Sequence, residues 1–228
     1  MKKDIFNGIF VFAFGFASQI AQAQENTYLS NLGLAPTGSN PVGIDSWLAA
    51  GVYTGSNANG YLLNSVQLAI TDASGNPNGF AVMIYANDGN HGGENPGIRL
   101  GTLSGSLNPA TSGIYTYTPA SNITLLPSTQ YYIVLTAGAT IVNGAYYWSF
   151  TSTSSYQPGD SWVASVTLSS SDGSSSSWTR LGSYPLYDFS QFSLNATPVP
   201  EPSVSEMLLS FGGILLLGFG RWKTKAVQ

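Results

Sequence analysis

The segment LLNSVQLAIT, residues 62–71, decides the predicted fold of this 228-residue chain. Its large apolar side chains, Val66, Leu68 and Ile70, alternate with Gln67 and Ala69. Successive side chains of a β-strand point to opposite faces of the sheet, so this alternation predicts a strand with one buried face.

Eight further segments combine β-branched or aromatic residues with turn residues on either side, and they are also predicted as strands. They are residues 46–53, 80–86, 98–104, 113–118, 130–136, 145–151, 160–168 and 186–196. Gly, Pro, Asn and Asp cluster between them, and the middle of the chain has no ten-residue amphipathic helix pattern. Short strands at this spacing predict an all-β fold, an antiparallel β-sandwich of jelly-roll type.

Composition excludes several classes of protein. Only 8% of the residues are charged, against roughly 25% in an average soluble domain, which argues against a nucleic-acid-binding protein, a coiled coil or a disordered tail. The chain has no cysteine, which excludes thiol catalysis, zinc ribbons and disulfides. Residues 24–197 carry eight acids and two bases, whereas all four lysines lie near the chain ends. The ends therefore differ in purpose from the middle.

The first 23 residues have the three parts of a secretory signal peptide. Lys2 and Lys3 form a basic start, residues 9–17 are apolar, and Ala21 and Ala23 form a small-residue cleavage site. An uncleaved anchor helix is disfavoured because nine apolar residues are too short to span a bilayer. We expect export through the Sec translocon and cleavage by signal peptidase after Ala23.

The C-terminal segment, residues 197–228, combines a proline-rich hinge, an apolar stretch and a basic end. Three prolines within residues 198–202 predict an extended, exposed hinge that enters neither a ladder nor a helix. Residues 204–220 are predicted as a short transmembrane helix, followed by Arg221, Lys223 and Lys225. Basic residues tend to stay cytoplasmic, so this topology places the middle of the chain outside the inner membrane.

The order of these parts resembles the PEP-CTERM sorting signal of Gram-negative bacteria. Pro200, Glu201 and Pro202 match its motif, and the helix and basic tail match its remaining parts. The resemblance implies that an exosortase recognises the segment and removes or exchanges the helix. The same tail is sometimes labelled an ice-binding protein C-terminal domain, a label that describes co-occurrence and not ice binding.

The middle of the chain resembles the choice-of-anchor R domain over about residues 46–196. The resemblance is carried by the order of short motifs: GVYTGS (51–56), YLLNSV (61–66), IY (84–85), NDG (87–89), NPG (95–97), LSG (103–105), YTY (115–117), YYIVL (131–135), WSF (148–150), SDG (171–173) and Trp178. It implies an extracellular β domain and carries over no catalytic residue. The predicted division is signal peptide 1–23, extended segment 24–45, β-sandwich domain 46–196 and sorting signal 197–228.

Catalytic and metal-binding patterns are weak in this sequence. The only histidine, His91, lies in a polar glycine-rich loop without a nucleophile elbow, which argues against a hydrolase triad. Asp88, Asn90 and Glu94 in the same loop offer oxygen ligands for calcium, but their spacing completes no known calcium loop. A solvated turn explains these residues with fewer assumptions, so no cofactor is predicted. Asp72, Asp88 and Asp172 lie in turn sequences, and Asp45 and Asp160 precede predicted strands, which also disfavours a glycosidase pair.

Aromatic side chains provide the other candidate site, because exposed Trp or Tyr rings stack on sugar faces. Trp148 and Trp178 are the candidate glycan contacts, and Trp178 is expected to be the more exposed since it follows a serine-rich run. The alternative is that such rings fill the core. The sequence predicts a non-enzymatic structural or adhesive protein at the cell surface or in the extracellular matrix. A carbohydrate-binding module for exopolysaccharide is the alternative.

Overall fold

A computed structural model describes residues 25–89, 95–153, 156, 161–183 and 186–200, and this part of the chain is all-β and antiparallel. The predictions on residues 1–23 and 201–228 lie outside it. Within the described residues there is no helix of sufficient length and hydrophobicity to cross a membrane. The strands are β1 (Asn26–Ser30), β2 (Gly38–Val42), β3 (Trp47–Tyr53), β4 (Tyr61–Gly75), β5 (Ala81–Asn87), β6 (Pro96–Ser104), β7 (Gly113–Pro119), β8 (Thr124–Leu125), β9 (Gln130–Thr136), β10 (Gly144–Thr151), β11 (Val163–Ser170), β12 (Thr179–Arg180), β13 (Gly182–Ser183), β14 (Leu186–Tyr187), β15 (Phe189–Ser190) and β16 (Phe192–Pro198).

The first layer of the fold is built around β4, the strand that contains the alternating segment. On one side β4 pairs with β7 and β8, and on the other it pairs with β16 along its first half and with β10 along its second. β1 then pairs with β16, and β2 pairs with β10. On each side of β4, two shorter strands thus lie end to end: β8 and β7 on one side, and β16 and β10 on the other.

The second layer has the strand order β6, β5, β9, β3, β11, β12. It is joined to the first where β6 pairs with β7 through Leu103↔Pro119 and Ser104↔Thr118. Fourteen of the described strands thus form one sheet that curls over itself as a sandwich, while β13 and β14 pair in a separate two-stranded sheet. The all-β, antiparallel part of the prediction is confirmed.

Alternating side chains of β9 bury both faces of the second layer. Tyr131, Ile133 and Leu135 join the main core between the layers, whereas Tyr132 and Val134 join a second apolar cluster. Neighbouring residues of a strand point to opposite faces, so the second cluster lies on the outer face of this layer. Its other buried members are Ala49, Met83, Leu168 and Trp178.

The structure moves the predicted start of the β domain. Residues 24–45 were expected to precede it as an extended segment, yet β1 and β2 come from this segment and pair with β16 and β10. Tyr28 of β1 stacks on Trp162 with a centroid separation of 4.9 Å and meets Tyr61 edge-on at 5.1 Å. The domain therefore begins by Asn26 and not at residue 46. Long-range pairing of this kind leaves no signal in local sequence patterns.

The remaining predicted strands differ from the observed ones mainly at their ends. β4 runs to Gly75, four residues beyond the prediction, because its second half pairs with β10. The predicted strand at 186–196 is divided into β14, β15 and the first part of β16. The strand predicted from residue 160 is observed from Val163, and Asp160 itself lies outside the described residues.

Candidate functional site

The two tryptophans predicted as glycan contacts are buried. Trp148 is 1% exposed, and its indole N–H donates a hydrogen bond to the carbonyl oxygen of Gln191 at 2.8 Å. Trp178 is 7% exposed and packs in the outer cluster with Met83 and Tyr132. Neither ring offers a face to a sugar, so the prediction that Trp178 is exposed is wrong. The serine-rich run before Trp178 suggested an exposed ring, but the hairpin that contains this run folds the ring back onto the sheet.

Two further tryptophans lie in the described part of the chain. Trp162 is 1% exposed and stacks on Tyr28. Trp47 is partly exposed, and its indole N–H donates to the carbonyl oxygen of Ile44 at 3.0 Å. A Cβ atom at Gly173 would lie 2.6 Å from the Trp47 ring, so the hairpin backbone already covers part of that ring. The aromatic residues thus serve mainly the core.

Of the calcium candidates, the structure describes only Asp88. Its backbone N–H donates to the carbonyl oxygen of Asn95 at 3.0 Å, which closes the base of the loop. Asn90 and Glu94, like His91, lie outside the described residues. Within the described ranges, no group of three His, Cys, Asp or Glu side chains is placed to hold a metal ion.

Asp172 organises the hairpin that joins β11 and β12. Its carboxylate accepts hydrogen bonds from the hydroxyl of Ser177 at 2.6 Å and from the backbone N–H of Ser174 at 2.9 Å. These bonds stabilise the ionised form and lower the pKa of Asp172 to about 2. Gly173 follows with a φ of 74°, which favours glycine. The carboxylate is a local turn organiser, as its sequence context predicts.

The proline-rich hinge is attached to the sheet as far as Pro200. Thr197 and Pro198 pair in register with Leu62 and Tyr61 of β4, so the prediction that the hinge enters no ladder is wrong for these residues. The N–H of Val199, the next residue, donates to the carbonyl oxygen of Gly60 at 3.0 Å. Alternate residues of a strand point to opposite edges, so the missing N–H of Pro198 falls on the side away from β4. Proline is tolerated there.

Polar side chains next to β4 hold the same hinge. Asn64 Nδ2 donates to the hydroxyl of Thr197 at 2.7 Å. Asn59 Nδ2 donates to the carbonyl oxygen of Pro200 at 2.8 Å, and Asn57 Nδ2 lies 3.5 Å from the carbonyl oxygen of Val199. The Pro200 end of the predicted sorting motif is therefore positioned by the folded domain, while Glu201 and Pro202 lie outside the described residues.

A cleft of about 290 Å³ opens where β11 and β12 of the second layer face β15 of the first. Asn40 Nδ2 donates to a carboxylate oxygen of Asp188 at 3.3 Å. In the buried contact behind the cleft, the N–H of Ser190 donates to the Thr167 hydroxyl at 3.3 Å. We call this the β11–β15 cleft. It combines a cation, a carboxylate, two hydroxyls and three apolar side chains, namely Arg180, Asp188, Ser165, Thr167, Val166, Leu181 and Phe189.

The composition of the β11–β15 cleft suits binding of a small polar molecule. The guanidinium of Arg180 and the hydroxyls donate hydrogen bonds, the carboxylate of Asp188 accepts them, and Phe189 adds an apolar surface. Sequence reasoning missed this cleft. Arg180 is one of only two bases in residues 24–197, which was the one available signal. Its cleft neighbours all lie within residues 165–189, but local patterns do not show that β11, β12 and β15 meet.

Comparison with known proteins finds no matching family model, no similar curated protein and no similar solved structure. Functional proposals for this chain therefore depend on its own residues and their geometry.

Proposed function

We propose that this chain is an exported, jelly-roll-type β-sandwich protein that an exosortase processes and releases to the cell surface or extracellular matrix. There it acts as a structural or adhesive component without catalysis. The observation that carries the proposal is the order of the C-terminal parts: Pro200, Glu201 and Pro202, then the apolar stretch and the basic end. The precursor is held at the inner membrane with its C-terminus in the cytoplasm.

The positions of the first and last described strands support this arrangement. β1 and β16 are antiparallel and Asn26 pairs with Ala196. Asn26, which follows the predicted cleavage site, and Ala196, which precedes the hinge, thus lie side by side in the first layer. A domain whose first and last strands lie side by side can be delivered by an N-terminal signal and then held by a C-terminal helix, with all of its strands on the same side of the membrane.

The proposal is tested with the full chain produced in a Gram-negative host with and without an exosortase. We expect cell-free or surface-attached protein that lacks the apolar C-terminal stretch only when the exosortase is present, as measured by intact mass. Replacing Pro200, Glu201 and Pro202 together with alanine should leave the precursor in the membrane fraction. Extracellular protein that retains residues 204–228 would contradict the proposal.

The β11–β15 cleft favours a second function, recognition of exopolysaccharide at a site other than the predicted tryptophans. Its volume of about 290 Å³ is near the lower end of the ~300–1,000 Å³ of small-molecule sites, so it suits one or two sugar rings. Sugar hydroxyls both donate and accept hydrogen bonds, which matches the presence of a donor, Arg180, and an acceptor, Asp188, in one cleft. Phe189 supplies an apolar surface for a ring face.

Glycan-array binding of the released domain tests this second function. We expect Arg180→Ala and Asp188→Asn each to weaken binding at least tenfold, the effect of losing a charge-assisted hydrogen bond of ~1.5–3 kcal/mol. Arg99→Ala is the matched control, since Arg99 lies on β6 and is the other base of residues 24–197. Binding by all three variants as strong as that of the wild-type domain would exclude the cleft as the glycan site.

A further inference from the structure

The turn that precedes β4 is built to hold a fixed shape. The backbone N–H of Gly60 donates to the carbonyl oxygen of Asn57 at 2.8 Å, and the N–H of Asn59 donates to the Asn57 side-chain oxygen at 3.1 Å. The N–H of Asn57 donates to the hydroxyl of Tyr61 at 3.1 Å, and the Tyr61 side chain is fully buried. We call residues 57–60 the hinge-holding turn.

Gly60 makes this turn sensitive to substitution. Its φ is 76°, and a Cβ atom there would lie 2.4 Å from the carbonyl oxygen of Leu125. Only glycine combines this backbone conformation with so close an approach. The carbonyl oxygen of Gly60, which accepts the hydrogen bond from Val199, therefore belongs to a turn whose backbone shape depends on glycine.

The hinge-holding turn contacts the chain at successive residues of the C-terminal hinge. Gly60 accepts from the N–H of Val199, and Asn59 donates to the carbonyl oxygen of Pro200. Upstream, Thr197 and Pro198 are paired with β4. Proteases act on backbone that is exposed and not engaged in hydrogen bonds, so the bonds from Thr197 to Pro200 are protected while these contacts persist.

We propose that the hinge-holding turn determines which peptide bond is cut when the domain is released, and that this bond lies C-terminal to Pro200. This inference rests on the proposed exosortase processing and adds the residues that select the bond. In the cut, water or an acceptor amine adds to the carbonyl carbon, the C–N bond breaks, and the helix-side segment leaves as an amine that has gained a proton. Asn59 and Asn57 act by positioning the substrate and take no part in this chemistry.

The first test needs no exosortase. The full chain in detergent micelles is treated with a low dose of a broad-specificity protease, and the C-terminus of the remaining domain is read by intact mass. In the wild-type protein we expect trimming to stop at Pro200 or beyond. Asn59→Asp keeps the size of the side chain but replaces the donor with a carboxylate, so domain ending before Val199 should increase roughly fivefold, the effect of one lost hydrogen bond.

Matched variants separate hinge release from general unfolding. Asn57→Ala with Asn59→Ala should allow more trimming than Asn59→Asp, whereas Asn143→Ala should match wild type. Asn143 is an exposed turn residue whose side chain donates to Thr140, away from the hinge. If the double variant fails to fold, Asn59→Asp still decides the outcome. Wild-type trimming to Thr197, or equal trimming of wild type and Asn59→Asp, would overturn the inference.

The second test uses the host that contains an exosortase. We expect the released wild-type domain to end at a single residue at or beyond Pro200, and the Asn59→Asp domain to have additional earlier ends. A wild-type domain that ends before Val199 would overturn the role of the turn while leaving exosortase processing intact. Retention of the whole C-terminal segment in both proteins would instead contradict the proposed function. The two failures are therefore distinguishable.

Discussion

At the scale of single residues, Trp178 shows how burial changes the functional interpretation of a side chain. The residue is 7% exposed beside Met83, Tyr132 and Val134, so its ring contributes to packing and not to a binding surface. Its indole N–H has no hydrogen-bond partner among the described residues. A buried donor without a partner costs ~1–3 kcal/mol, which reduces the net benefit of burying this large ring.

This environment predicts effects of different size for two substitutions of Trp178. Trp178→Ala should lower the free energy of unfolding by about 3 kcal/mol, because it removes a large buried side chain. Trp178→Phe should change it by less than about 1 kcal/mol, since the lost contacts are offset by removal of the indole N–H. Urea unfolding of the released domain measures both. A stable Trp178→Ala protein that has lost glycan binding would restore the sugar-contact interpretation.

At the scale of elements, the hairpin between β11 and β12 consists of a polar turn followed by a residue in an apolar cluster. Asp172 holds the turn through Ser174 and Ser177, and the chain then brings Trp178 onto the outer face of the second layer. The serine-rich run is therefore an ordered connection in which hydroxyls satisfy a carboxylate. The sequence predicted the turn, but it did not predict that the Trp178 side chain packs on the outer face of the second layer.

The hairpin should loosen in acid. The pKa of Asp172 in the folded protein, about 2, is below its ordinary value of 3.8. Its contribution to stability is therefore complete above pH ~4 and is lost as the pH falls through about 2. NMR titration of the Asp172 carboxyl carbon and of the Trp178 indole resonance should show both events in the same pH range.

Asp172→Asn provides the control for this titration. The amide does not ionise, so the Trp178 resonance of this variant should be independent of pH between 4 and 2. A carboxyl pKa near 3.8 in the wild-type protein would show that the hydrogen bonds from Ser174 and Ser177 do not persist in solution.

At the scale of the whole molecule, the first layer is closed by pairing of the first described strand, β1, with the last, β16. β1 covers one edge of β16, and β2 covers one edge of β10. Tyr28, Tyr61 and Trp162 then pack as a trio with centroid separations of 4.9–5.1 Å. The N-terminal segment thus protects strand edges that would otherwise be available for pairing with other chains.

A chain that starts at residue 46 should consequently fail to form a stable domain. It lacks β1 and β2, so it exposes the edges of β16 and β10 and loses the ring of Tyr28. We expect aggregation or an unfolding midpoint lower by more than 10 °C than that of a chain covering residues 24–200, because a ~1 kcal/mol loss already shifts the midpoint by ~2–4 °C at this size. Circular dichroism and size-exclusion chromatography measure this. Equal stability of the two chains would place the domain boundary back at residue 46.

The sequence by itself determined the all-β class, most of the strand positions and the turns. These depend on contacts between residues close in the chain, such as the alternation of Val66, Leu68 and Ile70 or the carboxylate of Asp172 before Gly173. It also predicts the export and sorting segments, which lie outside the described residues except for residues 197–200 and stay predictions. Local patterns are sufficient for such features because a strand or a turn is specified within a few residues.

Only the tertiary structure decided which side chains are exposed and which distant segments meet. It buried Trp148 and Trp178, brought Asn59 against Pro200, and assembled the β11–β15 cleft from Arg180 and Asp188. These relations join residues eight to 141 positions apart in the chain. A strand pattern shows that one face is buried, but the fold alone determines which element covers it, and no periodicity in the sequence encodes that choice.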